Sequence, residues 1–221
     1  MGRACRTVER AMEAGTPKVQ PGVTMAELRD EVEYQLRLAG SLTPSFPTHI
    51  FTGMDADSLD SSTRTRHTPV TEGTPVLFDF GGVVDGYCSD FGRTVVAGEP
   101  SAEFVEAYDV MLAASEAGRL ACRPGATAHE VNTACRTPIE AAGLGEHFRH
   151  RMGHGIGLDV HERPFLSPED ETPLQAGMTF TDEPSIIVLG SFGMRIENIV
   201  VCAEGGARVL NEYQNDLVVN A

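Results

Sequence analysis

Lysine is almost missing from this chain of 221 residues: of its 17 basic residues, Lys18 is the single lysine and the rest are arginine. A P-loop needs a lysine against its phosphates, and Schiff-base chemistry needs one as nucleophile. Lys18 lies in Thr16-Pro17-Lys18-Val19, with no glycine-rich loop around it, so both classes are unpromising. Positive charge is scarce altogether: 17 Lys and Arg face 32 Asp and Glu, a formal net charge of −15. Nucleic acid and anionic membranes are bound through a basic face, so neither is expected as a partner. Cations are not excluded. The five cysteines, Cys5, Cys88, Cys122, Cys135 and Cys202, are odd in number and contain no Cys-x-x-Cys pair. That argues against a disulfide framework and a zinc knuckle. No run approaches the roughly 18 apolar residues of a membrane span. Residues 1–14 mix charges without an apolar centre, unlike a secretory signal. A reducing compartment, the cytoplasm, is the expected location.

What is present is globular in composition, 41% hydrophobic and 22% charged. A repeat organises it. Glu13-Ala14-Gly15 recurs as Glu116-Ala117-Gly118, Pro21-Gly22 as Pro124-Gly125, Thr24 as Thr127, Glu27 as Glu130, and Ala39-Gly40 as Ala142-Gly143, always 103 residues apart. Each copy reads as helix, Pro-Gly turn, helix. The second helix opens with a capping box, Thr24-x-x-Glu27 or Thr127-x-x-Glu130, in which side chains satisfy orphan N–H groups. It closes at Gly40 or Gly143, suited to the left-handed position after a helix. β-rich stretches follow, at 75–80 and 83–96, then at 178–181, 185–189 and 194–201. Residues 73–79 align with 177–183 at an offset of 104. Helices followed by strands predict an α+β fold with helices on one side of a largely antiparallel sheet. One domain over residues 1–221, built from halves of about 1–100 and 101–221, is expected. The apolar face of residues 105–120 is expected in the core, and Glu169-Asp170-Glu171 in a solvated loop.

Several charged side chains stand where burial costs most. Asp79 lies inside Val76-Leu77-Phe78-Asp79-Phe80, and Asp90 follows in Ser89-Asp90-Phe91. A turn at Asp85-Gly86 would bring the two aspartates together. His154 sits among glycines in Gly153-His154-Gly155-Ile156-Gly157, where backbone and a metal can approach closely. Glu183 and Glu197 follow in Thr181-Asp182-Glu183-Pro184 and Arg195-Ile196-Glu197-Asn198. Singly, each has a plainer reading: a carboxylate held by backbone donors, a core histidine, an Arg195–Glu197 ion pair. Jointly, four carboxylates and an imidazole on apolar elements need counter-charge. Hard and borderline divalent ions take such ligands, and two dications would balance the four acids. Two other patterns fail: Gly153-x-Gly155-x-Gly157 has the wrong spacing for a dinucleotide loop, and His150 to His154 lacks the glutamate of a zincin.

These segments, with Gly86-Tyr87-Cys88-Ser89-Asp90-Phe91-Gly92-Arg93-Thr94 and Gly157-Leu158-Asp159-Val160-His161-Glu162, resemble the pita-bread metallopeptidases. That family includes methionine aminopeptidase, Xaa-Pro aminopeptidase and prolidase, with creatinase as a non-metal relative. The resemblance covers essentially the whole chain and implies a pseudo-two-fold fold of two halves. It implies Asp79, Asp90, His154, Glu183 and Glu197 as ligands of two divalent ions (Mn, Co, Zn or Fe). A metal-bridging hydroxide would be the nucleophile, and Glu183 would carry its proton to the leaving amine. His161 would hydrogen-bond the carbonyl oxygen or substrate backbone, His150 would line the substrate pocket, and Arg195 would orient the ligand carboxylates from behind. The expected activity is exopeptidase action on short peptides, of Xaa-Pro type, with a homodimer open. A hydrolase or lyase of a non-peptide small molecule, or a non-catalytic peptide-binding module, are the alternatives. Two features depart from the family. Its further histidine, about 17 residues before the first aspartate, falls on Ser62, with His49 and His67 as other candidates. The separate N-terminal domain of the larger proline-directed members has no counterpart, whereas the 157–162 motif resembles theirs.

Overall fold

The computed structural model describes residues 1–52 and 67–221. In chain order the elements are α1 (Gly2–Gly15), α2 (Met25–Leu38), β1 (His49–Phe51), β2 (Thr74–Phe80), β3 (Val83–Val84), β4 (Tyr87–Cys88) and β5 (Phe91–Ala97). Then come α3 (Ala102–Ala121), α4 (Ala128–Ala141), β6 (Gly153–Gly155), β7 (Glu162–Leu166), β8 (Thr179–Asp182), β9 (Ser185–Val188), β10 (Phe192–Arg195), β11 (Asn198–Val201), β12 (Arg208–Val209) and β13 (Val218–Asn220).

Local chemistry starts and stops the helices where the repeat requires. The Thr24 hydroxyl accepts from Glu27 N at 3.3 Å, and the Glu27 carboxylate accepts from Thr24 N at 2.8 Å. Thr127 and Glu130 repeat this at 3.1 and 2.8 Å. Gly40 and Gly143 follow their helices at φ of 103° and 76°, where a side chain would be strained. The turns before the helices match too: Gly22 N donates to Val70 O at 2.8 Å, and Gly125 N to Leu174 O at 2.9 Å. On α2, Met25, Leu28, Val32 and Leu36 form one buried stripe at helical spacing.

Each helix pair covers its own sheet. The first sheet runs β1-β2-β5-β13 and the second β12-β11-β8-β6-β7. Pairing is antiparallel except for β13, which lies parallel to β5. Two cores result. One gathers Val8, Met12, Leu28, Leu36, Phe78, Phe80 and Phe91; the other Phe104, Met111, Ile139, Phe180, Met194 and Val200. A small cluster of Cys5, Cys88, Ile156 and Ile199 bridges the halves. So do backbone bonds at the strand ends: Glu197 N donates to Gly92 O at 2.9 Å, and Arg195 N to the Thr94 hydroxyl at 2.9 Å.

The turn expected at Asp85-Gly86 is present: these residues, at φ of 51° and 83°, fold β3 back onto β4, and β5 begins only at Phe91. Three expectations change. The stretch 194–201 breaks at Ile196-Glu197, so β10 pairs with β9 and β11 with β8. On α3 the buried face runs from Phe104 to Gly118, while Val105 and Leu120 are exposed. Asp170 is not merely solvated: its carboxylate accepts from Phe165 N and Thr172 N, fixing the loop that carries Glu169. Among the described residues no helix is long and apolar enough to cross a membrane.

Candidate metal centre

The five expected ligand residues lie on strands, beside strand ends or in a break between strands. Asp79 lies near the end of β2, opposite Gly92. Asp90 immediately precedes β5, His154 is the middle residue of β6, and Glu183 follows β8. Glu197 sits in the break between β10 and β11, where the chain leaves one sheet for the other. Glycine makes the convergence sterically feasible: a Cβ at Gly153 would stand 2.0 Å from Thr181 O, and one at Gly92 would stand 3.0 Å from Glu197 Oε2.

Asp90, His154 and Glu197 are buried, with one potential ligand atom from each within 4.8 Å of the others. His154 Nε2 is 3.5 Å from Asp90 Oδ2 and 3.3 Å from Glu183 Oε1. Asp79 and Glu183 lean instead on Arg195. Its Nη1 bonds Asp79 Oδ2 and lies 3.6 Å from Glu183 Oε2 and 3.8 Å from Glu197 Oε2. Ser185 fixes the guanidinium by accepting from its Nε at 2.8 Å. Thr181 does the same for two of the expected ligands, accepting from His154 N at 3.0 Å and donating to Glu183 Oε1 at 3.1 Å.

The cluster has the marks of a site built for more positive charge than the protein supplies. Asp90 Oδ1 and both oxygens of Glu197 are buried without a hydrogen-bond partner, a costly arrangement for carboxylates. Burial pushes Glu197 well above the usual carboxylate range, and Asp90, Glu183 and Asp79 push it further. Burial raises Glu183 against the pull of Arg195 and His154. It raises Asp79 to about 7, again against Arg195. His154 moves up despite burial, because Asp90 and Glu183 favour its charged form. An oxygen-and-imidazole donor set short of positive charge fits a divalent cation.

Two cavities meet here. An inner pocket of about 190 Å³ has Asp79, Asp90, His154 and Glu183 in its walls, with Phe46 and Val160 as apolar sides. An outer cleft of about 720 Å³ is lined by Arg149, His150, Arg151, Phe165 and Glu169. Glu183, His161 and Arg195 line both. His161 packs its ring 4.2 Å from that of His154. Burial, then His154, lowers its pKa. In the cleft, desolvation and then Arg195 and Arg151 lower His150 to about 4. Both shifts favour the neutral imidazole. Ser62 lies outside the described residues, and His67 is exposed in a turn. His49, by contrast, lines the inner pocket.

Sequence reasoning missed Arg93. Its side chain is buried beneath the centre, donating to Glu197 O and Gly92 O at 2.7 Å, Asn198 Oδ1 at 2.7 Å and Gln214 O at 2.8 Å. It stacks on Phe91 at 4.3 Å. Three of these acceptors are main-chain carbonyls, which residue identity does not reveal. The cleft arginines were missed too; a cluster of Arg149 and Arg151 around His150 in an acidic chain was the available signal.

A model of metallopeptidase family M24 matches residues 1–204. An uncharacterized peptidase of Staphylococcus saprophyticus is 37% identical over 96% of this chain and 60% of its own length. An Xaa-Pro dipeptidase of Pyrococcus furiosus is 33% identical over 98% of this chain and 62% of its own. The crystal structure of an X-Pro aminopeptidase from Thermotoga maritima superposes with a TM-score of 0.93 at 33% identity, covering 99% of this chain and 61% of that one. This chain thus spans about 60% of the length of such relatives. Its paired sheets under paired helices form the pita-bread fold.

Proposed function

The chain belongs to metallopeptidase family M24, and from that premise we propose a dinuclear metal-dependent exopeptidase that removes the N-terminal residue of short peptides, of Xaa-Pro type. The observation that carries this is the buried Asp90–His154–Glu197 cluster, with three carboxylate oxygens lacking partners, beside Asp79 and Glu183. These five residues would hold two divalent ions, Mn, Co, Zn or Fe. When bound, such ions supply a Lewis acid and an activated water at neutral pH.

The chain's own groups do the rest. Glu183 lines both cavities, so its carboxylate meets the scissile bond where they join. It takes the proton of the attacking water and delivers it to the departing nitrogen. His161 donates a hydrogen bond to the carbonyl oxygen. Arg195 holds Asp79 in place and adds fixed positive charge behind the acids. His150 lines the cleft that receives the departing part, and Arg149 and Arg151 complement a carboxylate at the end of a short peptide. The two halves act as one domain, because neither supplies all five ligands.

The test couples metal analysis to a screen of dipeptides and tripeptides with Mn²⁺, Co²⁺ or Zn²⁺. The expected result is more than one ion bound per chain and turnover on Xaa-Pro peptides. Bound metal without turnover on any Xaa-Pro or Met-initiated peptide would move the reading to a non-peptide amide or amidine. Less than one ion per chain, with a melting temperature indifferent to chelator, would leave a peptide-binding module.

A further inference from the structure

Arg93 joins the two halves at the point where their acids meet. It lies on β5, in the first half, and is only 2% exposed. Its Nη1 donates at 2.7 Å to both Gly92 O and Glu197 O. Those two residues form a bridge between the sheets, and Glu197 N also donates to Gly92 O, at 2.9 Å. Gly92 in turn faces Asp79 across the β2–β5 ladder. One nitrogen thus braces the row Asp79, Gly92, Glu197, which runs from a first-half acid to a second-half acid.

The other nitrogens aim the group. Nη2 donates to Asn198 Oδ1 at 2.7 Å, Asn215 Oδ1 at 3.0 Å and Tyr213 O at 3.1 Å, and Nε to Gln214 O at 2.8 Å. Burial lowers its pKa to about 10, so it stays charged at neutral pH. None of the ion pairs among the described residues includes it. All its acceptors are neutral oxygens, so the site uses the shape of the fork: five donors in one rigid plane, which lysine lacks. Arg93 is also absent from the walls of both cavities, so it works on the acids and not on a substrate. We propose that Arg93 is a positioning residue for the metal centre: its planar fork holds Glu197 at a fixed distance from Asp79 and thereby sets the affinity for the second of two ions. This rests on the dinuclear reading above. Of the proposed ligands, His154, Glu183 and Glu197 belong to the second half, and Asp79 and Asp90 to the first. An ion held chiefly by one half survives a shift between the halves. A second ion, which needs acids of both halves in register, does not.

The experiment titrates metal-free wild type, Arg93→Lys, Arg93→Gln and Tyr108→Phe, as full chains, with Mn²⁺ in a calorimeter. Paramagnetic resonance of the loaded proteins reports whether two ions are close enough to couple. Wild type should bind two ions that couple. Both Arg93 variants should bind the second ion about 10–100-fold more weakly, hold the first within about threefold, and lose the coupled signal. Arg93→Lys should rescue little, because a point charge cannot span Gly92 O and Glu197 O together. Tyr108→Phe is the control. The Tyr108 hydroxyl donates to Asn215 O at 2.9 Å, so its loss loosens the same C-terminal segment without touching Gly92 or Glu197. That variant should bind both ions as wild type does. Second-ion affinity in Arg93→Lys within about twofold of wild type, where such partners ordinarily count for 10–100-fold, overturns the proposal and leaves the dinuclear reading standing. An equal loss at both ions, or a loss shared by Tyr108→Phe, also overturns it, since Arg93 is then a plain structural support. A wild type that takes up a single ion sinks the dinuclear reading itself, and this proposal with it. Where the Arg93 variants fail to fold, Asn198→Ala decides. It removes one acceptor that aims the fork, so second-ion affinity should fall, and an unchanged value overturns the proposal.

Discussion

The two halves of the molecule share their framework and differ in what they hang on it. Each has a helix pair whose second member opens with a capping box, a Pro-Gly turn, and a carboxylate beside the end of a strand, Asp79 or Glu183. The registers correspond pair by pair. Phe78 faces Arg93 in the first half where Asp182 faces Asn198 in the second, and Arg93 and Asn198 hydrogen-bond each other at 2.7 Å. Gly92, beside Asp79 in the first sheet, meets Glu197 across the junction. The first half adds a hairpin that delivers Asp90; the second adds His150, Arg151, His154 and His161 on and around β6. On the proposed reading, the shared framework supplies cation-binding acids from both sides. The added loops would then supply most of the proton-carrying and anion-binding groups, from one side only. A symmetric site can hold two ions, but only an asymmetric surround can tell the two ends of a peptide apart.

Substituting the corresponding acids is the strongest way to break this comparison. Glu183→Gln keeps an oxygen ligand but cannot carry a proton, so turnover should fall about 10²–10⁴-fold and stay low at any metal concentration. Asp79→Asn should weaken ion binding, because it removes one of the negative charges that attract a cation. Its turnover should recover substantially when Mn²⁺ is raised. Steady-state rates over a metal titration separate the two. Equal rescue of both variants would mean that Glu183 is only a ligand, and the proposed asymmetry of proton transfer would be wrong.

A second contrast is Phe78 against Asp182, an apolar and a charged residue at one framework position. Asp182 is fully buried; its Oδ2 accepts from the Ser115 hydroxyl at 2.7 Å and lies 3.4 Å from Arg119 Nε, while Oδ1 has no partner. Burial raises its pKa to about 7, against the opposing pulls of Ser115 and Arg119. A carboxyl raised by folding stabilises the fold fully below its unfolded pKa, near 4, and loses that contribution as pH rises through about 7. Making the second half resemble the first, with Ser115→Ala and Asp182→Val together, should raise stability at pH 8 by about 1–4 kcal/mol. The gain should shrink as pH falls towards 4. Denaturant titrations at both pH values measure it. A double variant less stable than wild type at pH 8 would show that the buried carboxylate is a net contributor.

What could be read from residues alone follows the same division. The framework was legible because its signals are local: a capping box, a Gly at positive φ and an apolar run broken by Asp79 each specify structure within a few residues. The four acids and the imidazole were legible because they interrupt apolar strands or glycines. The breaks were not. Nothing in Met194-Arg195-Ile196-Glu197-Asn198 marks the point where the chain changes sheets; that is set by Gly92 and Thr94, about a hundred residues away. The short strand β13 likewise owes its existence to a distant partner, β5, more than a hundred residues before it. His49 shows the limit most clearly. Nothing in its own segment marks its place; the pairing of β1 with β2 sets it opposite Asp79.

The smallest contrast tests whether the framework is as even as its hydrogen bonds suggest. Thr24→Ala and Thr127→Ala each remove a helix cap of the same geometry, so each should cost about 1 kcal/mol by denaturant titration. The second part concerns Glu27 alone. The Thr24 backbone N–H and then its hydroxyl hold the Glu27 carboxyl below its usual range. A carboxyl lowered by folding contributes stability above its unfolded pKa, and that contribution disappears as pH falls through the folded value. Thr24→Ala should therefore cost more at pH 7 than at pH 2.5. A cost at Thr24 that does not change with pH would mean that only the hydroxyl-to-backbone bond matters there. Unequal costs at the two threonines at pH 7 would show that tertiary packing, rather than the repeated cap, sets the stability of these helix starts.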